Sequence, residues 1–81
     1  MKFPRDLSGK DLAKALAKLG YQLTRQTGSH MRLTIHSPSE HHITIPNHDS
    51  LRVGTLAAVA NQVAAHLKIS REELLRELFG K

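Results

Sequence analysis

The stretch Tyr21–Pro46, "YQLTRQTGSHMRLTIHSPSEHHITIP", decides the fold, because its apolar residues recur with a period of two. Tyr21 and Leu23 alternate with Gln22 and Thr24; after the turn "TGS", Met31, Leu33 and Ile35 alternate with His30, Arg32, Thr34 and His36. "SPSE" marks a second turn, and His42, Ile43, Thr44 and Ile45 make a third strand that Pro46 ends. Three such strands joined by short turns predict an antiparallel sheet with an apolar face to be covered and a polar face left open.

The flanking segments change period and supply the cover. Ser8 is an N-cap with Asp11 three residues on, and Leu12, Ala15, Leu16 and Leu19 recur at helical spacing, so a helix is predicted from Gly9 to Leu19, stopped at Gly20. Leu56, Val59, Ala60, Val63 and Leu67 carry the stripe of a second helix, about Gly54 to Leu67. Ser70 and Glu73 form the better capping box and start a short helix with Leu74, Leu75, Leu78 and Phe79 apolar, ended by Gly80. The expected class is α+β, in the order α-β-β-β-α: a three-stranded antiparallel sheet with helices on one face, plus a short C-terminal helix. No repeat, linker or low-complexity run interrupts the chain, so one domain over 1–81 is expected.

Size and charge narrow the functions. A domain of 81 residues buries only about 60 to 65% of the surface its unfolded chain exposes, which leaves no room for a large internal cavity, so a site must be shallow. Twelve Lys and Arg against seven Asp and Glu, a formal +5, favour a polyanionic partner: nucleic acid, an anionic membrane or an acidic protein. The absence of cysteine removes disulfides and thiolate metal sites. No apolar run approaches a membrane span, the start "MKFPRDLSGKDL" lacks a signal-peptide core, and a cytoplasmic address without membrane contact is expected.

Five of the six histidines fall between Thr24 and His48. Metal ligation, proton transfer and RNA contact are the candidate uses, against a plain solvated sheet face. Metal ligation fits poorly: His41 and His42 are adjacent and project to opposite faces, and His30 and His36 stand roughly 20 Å apart along one strand. No H-x-x-x-H pair is present, so no metal site is expected. His66 reads as a surface residue near the end of the second helix. A nucleophilic triad fails because Ser29 beside His30 lacks an orienting carboxylate. His30 shares parity with Arg32, Thr34 and His36 on the open face; Gln22, Thr24 and Gln26 have the matching parity on the first strand, and Arg25 lies near the turn, where alternation breaks down. Imidazole can hold or release a proton near neutrality and guanidinium favours phosphate oxygens, so this face suits a phosphodiester.

The run "GYQLTRQTGSH", an alternating strand, "ITIPNH" and "GTL" opening a helix resemble the HicA toxin family over about Leu7 to Leu75. The resemblance implies a double-stranded-RNA-binding-domain-like fold, mRNA cleavage without a metal or other cofactor, and a HicB-type antitoxin as partner. It assigns the catalytic role to His30, with Gly28 and Ser29 matching the turn before it and Pro46, His48, Gly54 and Thr55 matching downstream positions. Arg25, Gln26, Gly28, Ser29 and Arg32 are the expected nucleic-acid contacts, with Gly28 permitting the turn that presents His30. DNA contact by this chain alone is not expected. One departure stands out: "GTLAAVANQVAAHLKIS" runs about one helical turn longer than the family pattern, with alanines where basic residues follow "GTL". Two other readings use the same residues, namely a non-catalytic RNA-binding module and an inactive homologue that only binds a partner protein.

Overall fold

The computed structural model describes residues 3–4 and 6–80. The elements run α1 (Gly9–Ala17), β1 (Gln22–Gln26), β2 (His30–Ile35), β3 (His41–Pro46), α2 (Val53–Leu67) and α3 (Arg71–Phe79). The strands form one antiparallel sheet in the order β1-β2-β3. This is the α-β-β-β-α, double-stranded-RNA-binding-domain-like architecture expected from the periodicities, with α3 added at the end.

α1 and α3 each start where the chain offers a hydroxyl. Asp11 N–H donates to Ser8 Oγ at 3.0 Å and Ser8 N–H donates back to Asp11 Oδ2 at 3.3 Å, so the complete capping box belongs to α1 and not to the pair at Ser70. At α3 the cap consists of Glu73 N–H donating to Ser70 Oγ at 3.0 Å. α1 is two residues shorter than its apolar spacing predicts. Its last turn tightens as Lys18, Leu19 and Gly20 bond back three residues, and Gly20 turns the chain into β1 at φ 109°, a conformation that favours glycine. β3 begins one residue earlier than predicted and retains Pro46, which as an edge residue forfeits no ladder bond.

The helices cover one face of the sheet. Met31, Leu33, Ile35, Ile43 and Ile45 project from β2 and β3 into a core closed by Leu12 and Leu16 of α1, Leu56, Val59 and Val63 of α2, and Leu74 and Leu78 of α3. β1 lies at the margin of this cover, with α1 near it. All five of its residues are exposed, and Leu23, read from its alternation as apolar-facing, sits across from Leu33 yet is 51% exposed. None of the described helices is long and apolar enough to cross a membrane.

A candidate RNA-facing site on the open sheet

Register determines which side chains meet on the open face. Opposed residues in an antiparallel pair share a face, and β2 pairs β3 as His30↔Pro46, Arg32↔Thr44 and Thr34↔His42. Between β1 and β2 the register slips: Leu23 opposes Leu33, but Arg25 opposes Arg32 and Gln26 opposes Met31. Thr24 is therefore the extra residue of a β-bulge, and the bulge exchanges the faces of the strand residues beyond it. Arg25 moves onto the open face beside Arg32. Gln26, placed with His30 by strict alternation, is instead on Met31's side of the sheet and is not brought to the site.

Two guanidinium groups thus stand opposed on one face. Like charges directly across a strand pair are destabilising, and among the described residues no carboxylate lies within ion-pair reach of either; Glu40 pairs with His36 and His42 instead. Such a pair is ready for an external anion.

His30 opens β2, about two residues or 7 Å along the strand from Arg32. Its turn is held tightly: Thr27 N–H donates to the His30 carbonyl at 2.9 Å, and His30 N–H donates to Thr27 Oγ1 at 3.2 Å. Ser29 Oγ lies 3.0 Å from His30 Nδ1, so the hydroxyl occupies that nitrogen. None of the described residues bonds Nε2, which leaves it facing solvent. The turn is also pinned from across the sheet, because Asn47 N–H donates to the Ser29 carbonyl at 2.9 Å and Asn47 Nδ2 donates to the Gly28 carbonyl at 3.4 Å. Gly28 does not have the role expected of it. Its φ is not left-handed and a Cβ there would meet nothing within 4 Å, so the turn does not require glycine.

The other histidines separate by face. On the open side, Glu40 Oε2 accepts from His42 Nε2 at 3.0 Å, His42 Nδ1 meets Thr34 Oγ1 at 2.7 Å, and Thr34 Oγ1 meets Thr24 Oγ1 at 3.0 Å. This chain of contacts buries Thr34 although it stands on the polar face. On the helix side, His41 stacks on His66 at 4.4 Å between ring centroids with planes 12° apart, and His66 Nε2–H donates to the Ser39 carbonyl at 3.0 Å. His66 is therefore half-buried against β3 and not a free surface residue; its partner lies 25 positions away, beyond the reach of local patterning. Tyr21 Oη lies 2.9 Å from His41 Nδ1, and burial pushes the Tyr21 phenol up to about 12. Burial holds His41 below the ordinary imidazole value, with smaller contributions from His66 and His42, which favours the neutral ring beside a neutral phenol. Among the described residues no three His, Asp or Glu side chains converge where they would hold a metal ion.

The open sheet face of this α-β-β-β-α protein thus carries an exposed imidazole and an arginine pair without a carboxylate partner among the described residues. The family whose model matches is the HicA toxin of bacterial toxin–antitoxin systems, over residues 9–64. The chain belongs to that family, and membership supports a general role as an mRNA-interferase toxin. No curated protein and no solved structure matches it.

Proposed function

We propose that this chain, as one HicA-like domain over 1–81, is the ribonuclease toxin of a toxin–antitoxin pair, cutting mRNA without a metal through His30. The observation that carries the reading is that the free Nε2 of His30 shares one face with the Arg25–Arg32 pair. A ribose 2′-OH already adjoins its phosphate, so the enzyme need only remove one proton, hold the group in line and offset negative charge on the phosphoryl oxygens. In the tautomer that donates Nδ1–H to Ser29 Oγ, 3.0 Å away, His30 carries at Nε2 the lone pair that a base requires. Arg25 and Arg32 supply the charge, and the Gly28–Ser29 turn sets the ring. Neutralisation falls to a HicB-type antitoxin, a net acidic protein covering the open face around His30, since a shallow site is blocked only by a surface that matches it.

The test is cleavage of a short defined RNA with EDTA present throughout. Expected are fragments ending in a 2′,3′-cyclic phosphate and beginning with a 5′-hydroxyl, full activity in the chelator, and at least a roughly 10²-fold loss in His30→Ala. A 3′-hydroxyl with a 5′-phosphate, or a folded His30→Ala protein cutting at the wild-type rate, would overturn the reading.

A further inference from the structure

β3 ends at Pro46, but its pairing continues. Asn47 N–H donates to the Ser29 carbonyl at 2.9 Å, which extends the His30↔Pro46 register by one position, up to the Gly28–Ser29 turn. The backbone also keeps the alternation of a strand: the Asn47 amide turns towards β2, whereas the His48 carbonyl turns outward and accepts from Gly9 N–H of α1 at 2.9 Å. His48 therefore keeps the parity of Pro46, which shares a face with His30.

That places two exposed histidines diagonally across one strand pair. Diagonal neighbours have Cα atoms about 7 to 8 Å apart, within reach of aromatic side chains. Beside His30 the chain reverses at Gly28–Ser29, and a Cβ added at Gly28 would meet nothing within 4 Å, so the surface at this turn is open. Both rings are fixed at their backbones, His30 by Thr27 and Asn47's hold on the turn, His48 by α1.

We propose that His48 is a second catalytic residue, the general acid that protonates the 5′-oxygen leaving group, diagonally across the strand pair from His30. The inference rests on the ribonuclease reading. The 2′-oxygen–phosphorus bond forms as the phosphorus–5′-oxygen bond breaks; the 2′-OH proton passes to His30 Nε2 and the proton carried by His48 passes to the departing 5′-oxygen. One proton is taken and one given, and exchange with water returns both rings to their starting states. The arrangement needs no co-reactant.

The experiment compares two substrates, an ordinary short RNA and the same RNA with sulfur bridging phosphorus and the 5′-carbon at the scissile link, whose thiolate leaves without a proton. His48→Ala is expected to cut the ordinary RNA about 10²- to 10⁴-fold more slowly than wild type, and the sulfur-bridged RNA within about tenfold of it. His30→Ala is expected to be slow on both. Thermal unfolding confirms that each variant is folded, which the exposure of both side chains favours. His48→Ala at the wild-type rate on ordinary RNA, or equally impaired on both substrates, overturns the assignment to His48 while leaving His30 in place. A wild-type protein that cuts neither substrate, or a fully active His30→Ala, overturns the ribonuclease reading and this inference with it.

Discussion

The same substitution, glycine to alanine, should have opposite signs at Gly9 and Gly54. Gly9 begins α1 at its closest approach to β3; a Cβ there would overlap the Pro46 carbonyl oxygen and stand 3.0 Å from Met31 Cε. The backbone cannot yield as a side-chain tip would, so α1 must lift from β3, at about 1 to 3 kcal/mol for overpacking and up to about 1 more for the strained Gly9 to His48 bond. Helical propensity returns no more than about 1 kcal/mol, so a net loss of about 1 to 3 is expected. At Gly54, inside α2, a Cβ meets nothing within 4 Å, and alanine should stabilise by about 0.5 to 1 kcal/mol. In a domain this small each kcal/mol moves Tm by about 4 to 8 °C, so the two variants should melt roughly 6 °C or more apart by circular dichroism. Gly9→Ala melting at or above Gly54→Ala would show that α1 does not bear on Pro46. Because Gly9 also anchors His48, its variant should lose cleavage even at temperatures where it is folded.

The histidine stack, the end of α2 and the arginine pair each set a further expectation. Since the folded-state pKa of His41 is depressed, its contribution to stability is complete above the ordinary imidazole value and is lost as pH falls below it. Tm should therefore drop between about pH 7.5 and about pH 5, and His66→Gln, which keeps a donor for Ser39 but removes the charge, should flatten that drop without abolishing it, burial being the larger cause. Lys68 closes α2 in the left-handed region at φ 58°, so Lys68→Gly should raise stability by about 1 kcal/mol in urea unfolding; a loss would show that its side chain contributes more than its backbone costs. If Arg25 and Arg32 each hold a phosphate, replacing either by Gln should lower the slope of log affinity for single-stranded RNA against log salt by about 0.7, whereas an unchanged slope would remove it from the interface.

The elements were legible in the sequence because each is specified by short-range pattern: period two in Met31, Leu33 and Ile35, helical spacing in Leu56, Val59 and Val63, hydroxyl caps at Ser8 and Ser70. The face of His30 was legible for the same reason. Features made by register and long-range contact lay outside the pattern. No local signal announces that Thr24 is an extra residue, so strict alternation gives Gln26 the face that Arg25 occupies. His66 meets His41 only once α2 folds across the sheet, and Leu23 is left bare at the margin of the helix layer. His48 did carry a signal, the even parity of His42, Thr44, Pro46 and His48, which is interrupted only if Pro46 is taken as the end of pairing.

The bulged first strand has a consequence for how such a protein diversifies. β1 contributes no buried residue, and exposed positions of this kind usually tolerate substitution within about half a kcal/mol. β2 and β3 are bound to the core, whereas β1 is free of it. A one-residue insertion or deletion beside Thr24 would turn a different side chain onto the open face and leave the interior unchanged, so the make-up of that face can change within this strand with little loss of stability.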